Sequence, residues 1–181
     1  LFYPPLLQRD VVMLRYEGAS HFRQRIVIAT LSARVLRIDK IRIDEQEVGL
    51  RDYEANFLRL LEKVVNGCEV SINETGTALR YRPGIIVGGA PLTHDCGTSR
   101  GIGYFAEALL PLAPFAKHPL RIILRGVTNS TDDPSVDVLR TVMLPMMRQF
   151  GVDEASLNIR KRGSPPLGGG EVEMQLSTVR E

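Results

Sequence analysis

The sequence predicts a layered α/β protein (α+β in its strand pairing) made of two tandem βαβαββ units, and three observations predict it. Two amphipathic helical stretches, over 52–66 and 137–150, run into glycines 84 residues apart, Gly67 and Gly151. Shifted by that interval, Leu36-Arg37-Ile38-Asp39-Lys40-Ile41 falls over Leu120-Arg121-Ile122-Ile123-Leu124-Arg125, and both read as strands. Each glycine is then followed by two more strand-like runs, 69–73 with 78–82 and 156–161 with 171–176. Strands and helices joined by short connections imply, in each unit, a four-stranded sheet with two helices on one face.

Taken in order, a first strand is placed over 11–14 in one unit and 85–87 in the other. A helix follows each, over 22–31 and 102–111, ahead of the strands at 36–41 and 120–125. The helix over 52–66 gathers Tyr53, Phe57, Leu61, Val64 and Val65 on one face. Its counterpart over 137–150 gathers Val138, Leu139, Val142, Met143, Met146 and Phe150. Gly67 and Gly151 suit left-handed helix caps. Asp133-Pro134 is expected to open the later helix, with the acid as cap and proline in the tolerated first turn. Pro145 falls inside that helix, where it removes a hydrogen bond and predicts a kink. Met143, Met146 and Met147 read as core filling. The units are bounded at 11–83 and 84–181, with 1–10 an unmatched arm.

Composition limits the function classes. The 181 residues are 44% hydrophobic and 24% charged, ordinary for a globular chain. A net charge of +2 does not by itself name a nucleic-acid partner. The densest basic cluster, Arg160-Lys161-Arg162, is the more informative feature. No apolar run reaches the roughly 18 residues that a membrane span needs. Cys68 and Cys96 lack CxxC spacing, so neither a zinc ribbon nor a disulfide framework is indicated. Asn73-Glu74-Thr75 and Asn129-Ser130-Thr131 match glycosylation sequons by chance.

Several motifs bear on chemistry. Gly168-Gly169-Gly170, just after the basic cluster, can adopt dihedrals closed to other residues and leave peptide N–H groups uncovered. That suits an anion site; the alternative is a long hairpin loop with flexible glycines. Gly97-Thr98-Ser99-Arg100-Gly101-Ile102-Gly103 looks like a dinucleotide-binding turn but lies nearly a hundred residues into the chain. It is read as opening the third helix and admitting close packing against the sheet. His94-Asp95-Cys96 offers three metal donors in a row, yet adjacent residues rarely point to one ion. His21 and His118 are isolated. No residue is put forward as catalytic, and no metal or cofactor is expected.

The wording of the glycine segment is more specific than its physics. Arg162-Gly163-x-x-Pro166-x-Gly168-Gly169-Gly170-x-Val172 resembles the signature of the RNA 3′-terminal phosphate cyclase family at every fixed position. That family includes true cyclases and a branch that works in ribosome assembly. Its fold implies units like the C-terminal domain of bacterial translation initiation factor three. Three such units and an inserted domain make up the family fold, so this chain would hold the first two, as the N-terminal half of a longer protein.

Two departures argue against cyclase activity. Where true cyclases read Glu-Gly-Gly-Gly-Gln ahead of an arginine, this chain has Glu17-Gly18-Ala19-Ser20-His21, with Arg23 as the best match to that arginine. Where they read Ile-Arg-Ala-Gly-Arg, it has Ile41-Arg42-Ile43-Asp44-Glu45, so a phosphate-binding cation becomes a carboxylate. The histidine that true cyclases adenylylate lies beyond this chain. The runs Arg23-Gln24-Arg25-Ile26-Val27-Ile28, Gly49-Leu50-Arg51-Asp52-Tyr53-Glu54, Tyr81-Arg82-Pro83-Gly84 and Arg125-Gly126-Val127-Thr128-Asn129 are similar to the ribosome-assembly branch, although Ala33 stands where its members usually have glycine. The resemblance then implies a nucleolar factor in early processing of pre-18S rRNA. It also implies an essential nucleolar GTPase of the small-subunit processome, pre-rRNA and other processome proteins as partners. An authentic ATP-dependent cyclase and a pre-rRNA endoribonuclease are the rival readings. Arg23, Arg42, Lys161, Arg162, Gly168, Gly169 and Gly170 are expected to bind RNA or another anion in one shared cleft. The rival for the cluster is that Arg160 and Arg162 alternate along an exposed strand and keep its edge soluble.

Overall fold

The structure, a computed structural model, describes residues 13–179. The 1–10 arm, and Val11 and Val12 of the expected first strand, lie outside the described residues. Within them the fold is mixed α/β. The first sheet contains β1 (Leu14–Glu17), β2 (Leu36–Asp39), β4 (Glu69–Ile72) and β5 (Leu79–Arg82), in the order β1-β2-β5-β4. The second contains β7 (Pro91–Asp95), β8 (Leu120–Gly126), β9 (Ala155–Lys161) and β10 (Gly170–Leu176), in the order β7-β8-β10-β9. In each, the first pair is parallel and the other two antiparallel. Segments 36–39 and 120–126 therefore hold the same place in their sheets, as the 84-residue offset predicts.

Alternation decides which sheet face is buried. Leu36 and Ile38 of β2 and Leu79 and Tyr81 of β5 point inward, as do Leu120, Ile122 and Leu124 of β8. Helices α1 (Phe22–Leu31), α2 (Asp52–Val64) and α3 (Ile102–Leu112) supply much of the rest of a continuous core, with Leu139, Leu144, Val172 and Met174 among the others. α3 is apolar nearly all round, as a helix enclosed on several sides must be, and it packs against α1. The hydroxyls of Tyr81 and Thr30 share a 2.8 Å hydrogen bond in the core, which satisfies both; burial still raises the Tyr81 phenol to about 12.

Five local expectations are corrected. α2 ends at Val64, because Val65–Asn66 (β3) leaves the helix to pair with Ile85–Ile86 (β6). Gly67 (φ 74°) consequently turns the chain after β3 and does not cap the helix. β6 belongs to that small ribbon, and the first strand of the second sheet is β7. Among the described residues the first strand of the first sheet is Leu14–Glu17, which runs three residues past the expected end at Leu14. Ser135, not Asp133, caps the late helix, accepting from the Val138 N–H at 3.2 Å.

That late helix is composite: α4 (Val136–Val138), a π turn (Leu139–Met143) and α5 (Leu144–Arg148). Pro145 has no N–H and would press on the carbonyl four residues earlier, and the wider π turn just before it accommodates both faults. Asp133 has a different role. Buried beside the start of α3, it takes the Arg100 guanidinium at 3.0–3.1 Å and the Gly101 N–H at 2.8 Å. A Cβ on Gly103 would lie 1.8 Å from the Pro134 carbonyl, so this glycine admits the 133–134 loop rather than the sheet.

Candidate functional site: two polar cavities

The first cavity, of about 650 Å³, opens where β1 runs into α1, against the turn after β2. Glu17, Gly18, Ala19, Ser20, Lys40, Arg42, Ile43, Asp44 and Glu45 line it. Three non-glycine residues in or beside it take left-handed backbone: His21 (φ 53°), Lys40 (φ 55°) and Arg42 (φ 47°). Such strain persists only where the surroundings over-determine it.

Every lining cation here is already engaged. Arg42 presents a guanidinium fork to Glu54, 2.7 Å on each prong, and donates to the Gly49 carbonyl at 3.1 Å. Glu54 is buried and also accepts the Arg51 N–H at 2.9 Å, closing the N-terminus of α2. Donating to the Glu54 carboxylate raises the Arg42 pKa above its ordinary value. Glu45 lies 3.8 Å from Arg42 and pairs with Arg51 at 2.7 Å, while Lys40 pairs with Glu17 at 2.9 Å. Arg25, not Arg23, attends the Glu17-Gly18 loop, donating to the Gly18 carbonyl at 2.9 Å while stacked 4.6 Å from the Tyr16 ring.

The second cavity, of about 630 Å³, lies at the glycine segment. Asp95, Thr98, Arg125, Arg160, Lys161, Gly169, Gly170 and Glu171 are among its lining residues. Gly168 (φ 67°) and Gly169 (φ 79°) are left-handed, so here glycine is a backbone requirement. A bulge in the β9–β10 ladder pairs Lys161 with Glu171 and Ile159 with Val172, leaving Arg160 as the extra residue. The bulge breaks the expected alternation and brings Arg160 and Lys161 to the same concavity. Arg160 is held by Glu171 (3.2 Å) and Glu173 (3.1 Å), and Arg125 by Glu171 (2.9 Å). Arg162 instead forks onto Asp137 at 2.7 and 2.9 Å, holding that half-buried carboxylate down near 2. Among the described residues Lys161 is the cavity's one cation without an ion pair.

The described chain does not gather the expected residues into one cleft. Arg42 lines the first cavity, and Lys161, Gly169 and Gly170 the second, with Gly168 adjacent. Arg23 belongs to neither. It reaches from α1 to the Tyr104 carbonyl and the Glu107 carboxylate on α3, with its guanidinium 4.4 Å from the Tyr104 ring. Arg100 stacks on the same ring at 4.8 Å and on Tyr53 at 5.0 Å. These contacts join the two halves of the molecule. Sequence reasoning missed the roles of Arg25 and Asp133, and spacing alone does not separate Arg25 from Arg23, since they flank Gln24 on either side.

The His94-Asp95-Cys96 run is split by strand alternation. Asp95 faces the second cavity, while His94 and Cys96 are buried. Burial holds His94 down at about 4 and pushes the Cys96 thiol up, so the pair is uncharged at neutral pH.

The repeated sheets and the glycine segment define a class. Residues 14–181 match the profile of the RNA 3′-terminal phosphate cyclase family, and the chain belongs to that family. It is 56% identical over 161 residues to the RNA 3′-terminal phosphate cyclase-like protein of Homo sapiens, covering 88% of this chain and 43% of that protein. It is 53% identical over 168 residues to the probable RNA 3′-terminal phosphate cyclase-like protein of Dictyostelium discoideum (92% and 45%). It is 48% identical over 164 residues to the rRNA processing protein RCL1 of Saccharomyces cerevisiae (91% and 44%). The chain thus spans less than half the length of these relatives.

Proposed function

We propose that this protein is a ribosome biogenesis factor that acts in rRNA processing and does not cyclise RNA ends. The names of its relatives support the first part. The second rests on one observation: Arg42, the retained cation of the first cavity, is neutralised by Glu54, and Glu45 replaces the arginine expected beside it. A nucleotide triphosphate entering there would meet Glu17, Asp44 and Glu45 and no free guanidinium. In the finer reading the protein works in the nucleolus, in early pre-18S rRNA processing within the small-subunit processome, beside an essential GTPase. The second cavity, with Lys161 and the left-handed glycines, is its candidate contact for RNA phosphate.

Depletion in a eukaryotic cell tests this reading. The expected result is accumulation of 18S precursors with large-subunit rRNA maturing normally, rescued by the intact protein. Unchanged precursor levels after complete depletion would overturn it.

A further inference from the structure

The outward face of the first sheet carries a feature that neither cavity uses. The strand register sets Arg15 directly opposite Arg37, and Arg37 directly opposite Arg80. Three exposed arginines thus form one row across β1, β2 and β5, while Leu36, Ile38, Leu79 and Tyr81 fill the opposite face. At a strand spacing of about 4.8 Å the row spans about 10 Å. Like charges directly opposite one another on a sheet oppose folding.

The neighbouring acids neutralise only the centre of the row. Asp39 pairs with Arg37 at 2.8 Å, Glu17 with Lys40 at 2.9 Å and Glu69 with Arg82 at 3.6 Å. Among the described residues, no carboxylate lies within ion-pair distance of Arg15 or Arg80. The second sheet shows that the fold does not demand such a row. Its matching positions are Pro91, Arg121, Gln175 and Ser156, with a single arginine. Its other charges close on themselves in the sequence Arg125–Glu171–Arg160–Glu173.

We propose that the outer face of the first sheet, centred on Arg15, Arg37 and Arg80, is a contact surface for the phosphate backbone of an RNA strand. The inference rests on the rRNA-processing reading and adds a place to it. Guanidinium groups take phosphate oxygens in forked pairs, and a polyanion along the row turns mutual repulsion into attraction. Tyr16 and Ile72 are exposed but stand in register with Ile38 and Leu79 on the opposite face, so the arginine face offers no aromatic ring to stack on bases, and binding is independent of sequence and weakened by salt. That face also offers no large apolar anchor of the kind that centres a protein interface, which favours RNA over an acidic protein segment.

The test is fluorescence anisotropy of a labelled, unstructured single-stranded RNA across a salt series, with the full-length protein. Arg15→Gln/Arg80→Gln should bind about tenfold more weakly at low salt. It should also flatten the salt dependence by about 1.4, from about 0.7 per phosphate contact. Arg121→Gln on the second sheet should change neither, and Arg15→Lys/Arg80→Lys should keep the slope. Melting temperature should not fall in any of them. Unchanged RNA binding by the double glutamine variant overturns the surface, as does an equal loss in Arg121→Gln. Loss of binding to a polyglutamate probe alone assigns the row to an acidic protein and overturns it too. A wild-type protein that binds no RNA overturns the underlying reading as well.

Discussion

Arg42 and Glu54 form a two-pronged ion pair, 2.7 Å on each prong, between the left-handed turn after β2 and the first turn of α2. Glu54 is 2% exposed and Arg42 partly buried, so the pair is screened far less than a surface contact. One carboxylate neutralises the cavity's arginine, closes the helix and fixes a strained turn. Removing one partner of such a pair costs about 3 kcal/mol, because the other is left buried and uncompensated. Glu54→Gln should therefore lower the melting temperature by about 6–12 °C. It should also let the first cavity bind inorganic phosphate, which titration calorimetry would detect.

Acid should weaken the fold through His94. The folded imidazole takes a proton only near pH 4, whereas the unfolded one does so near 6.5. Between those values the unfolded chain binds more protons, so stability rises with pH through the window and is lost as pH falls. The loss approaches about 3 kcal/mol by pH 4. Both ring nitrogens are buried without a hydrogen-bond partner among the described residues, so an apolar replacement leaves no donor stranded. Denaturant melts of His94→Leu should show a flatter dependence between pH 6.5 and 4 than the parent.

Ala33 has φ 52°, a conformation that costs an L-residue about 1–2 kcal/mol and glycine almost nothing. It ends α1 by donating its N–H to the Thr30 carbonyl. Ala33→Gly should raise the melting temperature by about 2–4 °C, measured by calorimetry.

Lys161 should matter to RNA and Arg162 to the fold. Lys161→Glu should weaken binding of single-stranded RNA uniformly across sequences and reduce the salt slope by about 0.7. Arg162→Gln should leave that slope unchanged, because Arg162 is committed to Asp137. Anisotropy titrations with two unrelated RNAs distinguish these outcomes.

The fold was legible because periodicity is local and the same pattern occurs twice. Leu36 and Ile38, and again Leu120 and Ile122, alternate inward without reference to anything distant. What sequence could not supply was direction at single positions. Arg23 and Arg25 differ by about 200° around one helix, and only their partners reveal which attends the loop and which crosses to α3. The bulge at Arg160 needs the register with β10, and Asp133 looked like a helix cap until Arg100 and Gly101, more than 30 residues away, claimed it. β3 and β6 are only two residues each, too short to show any period. The glycine segment was legible through its resemblance to the family signature, and left-handed backbone at Gly168 and Gly169 supplies the physical reason for glycine there.

The most direct measurement is incubation of the full-length protein with an RNA bearing a labelled 3′-phosphate, with and without ATP, beside an active cyclase of the family. With Arg42 held by Glu54 and Glu45 at its side, the RNA should keep its open 3′-phosphate in both conditions. An ATP-dependent 2′,3′-cyclic end formed at a rate comparable to the active cyclase would contradict that.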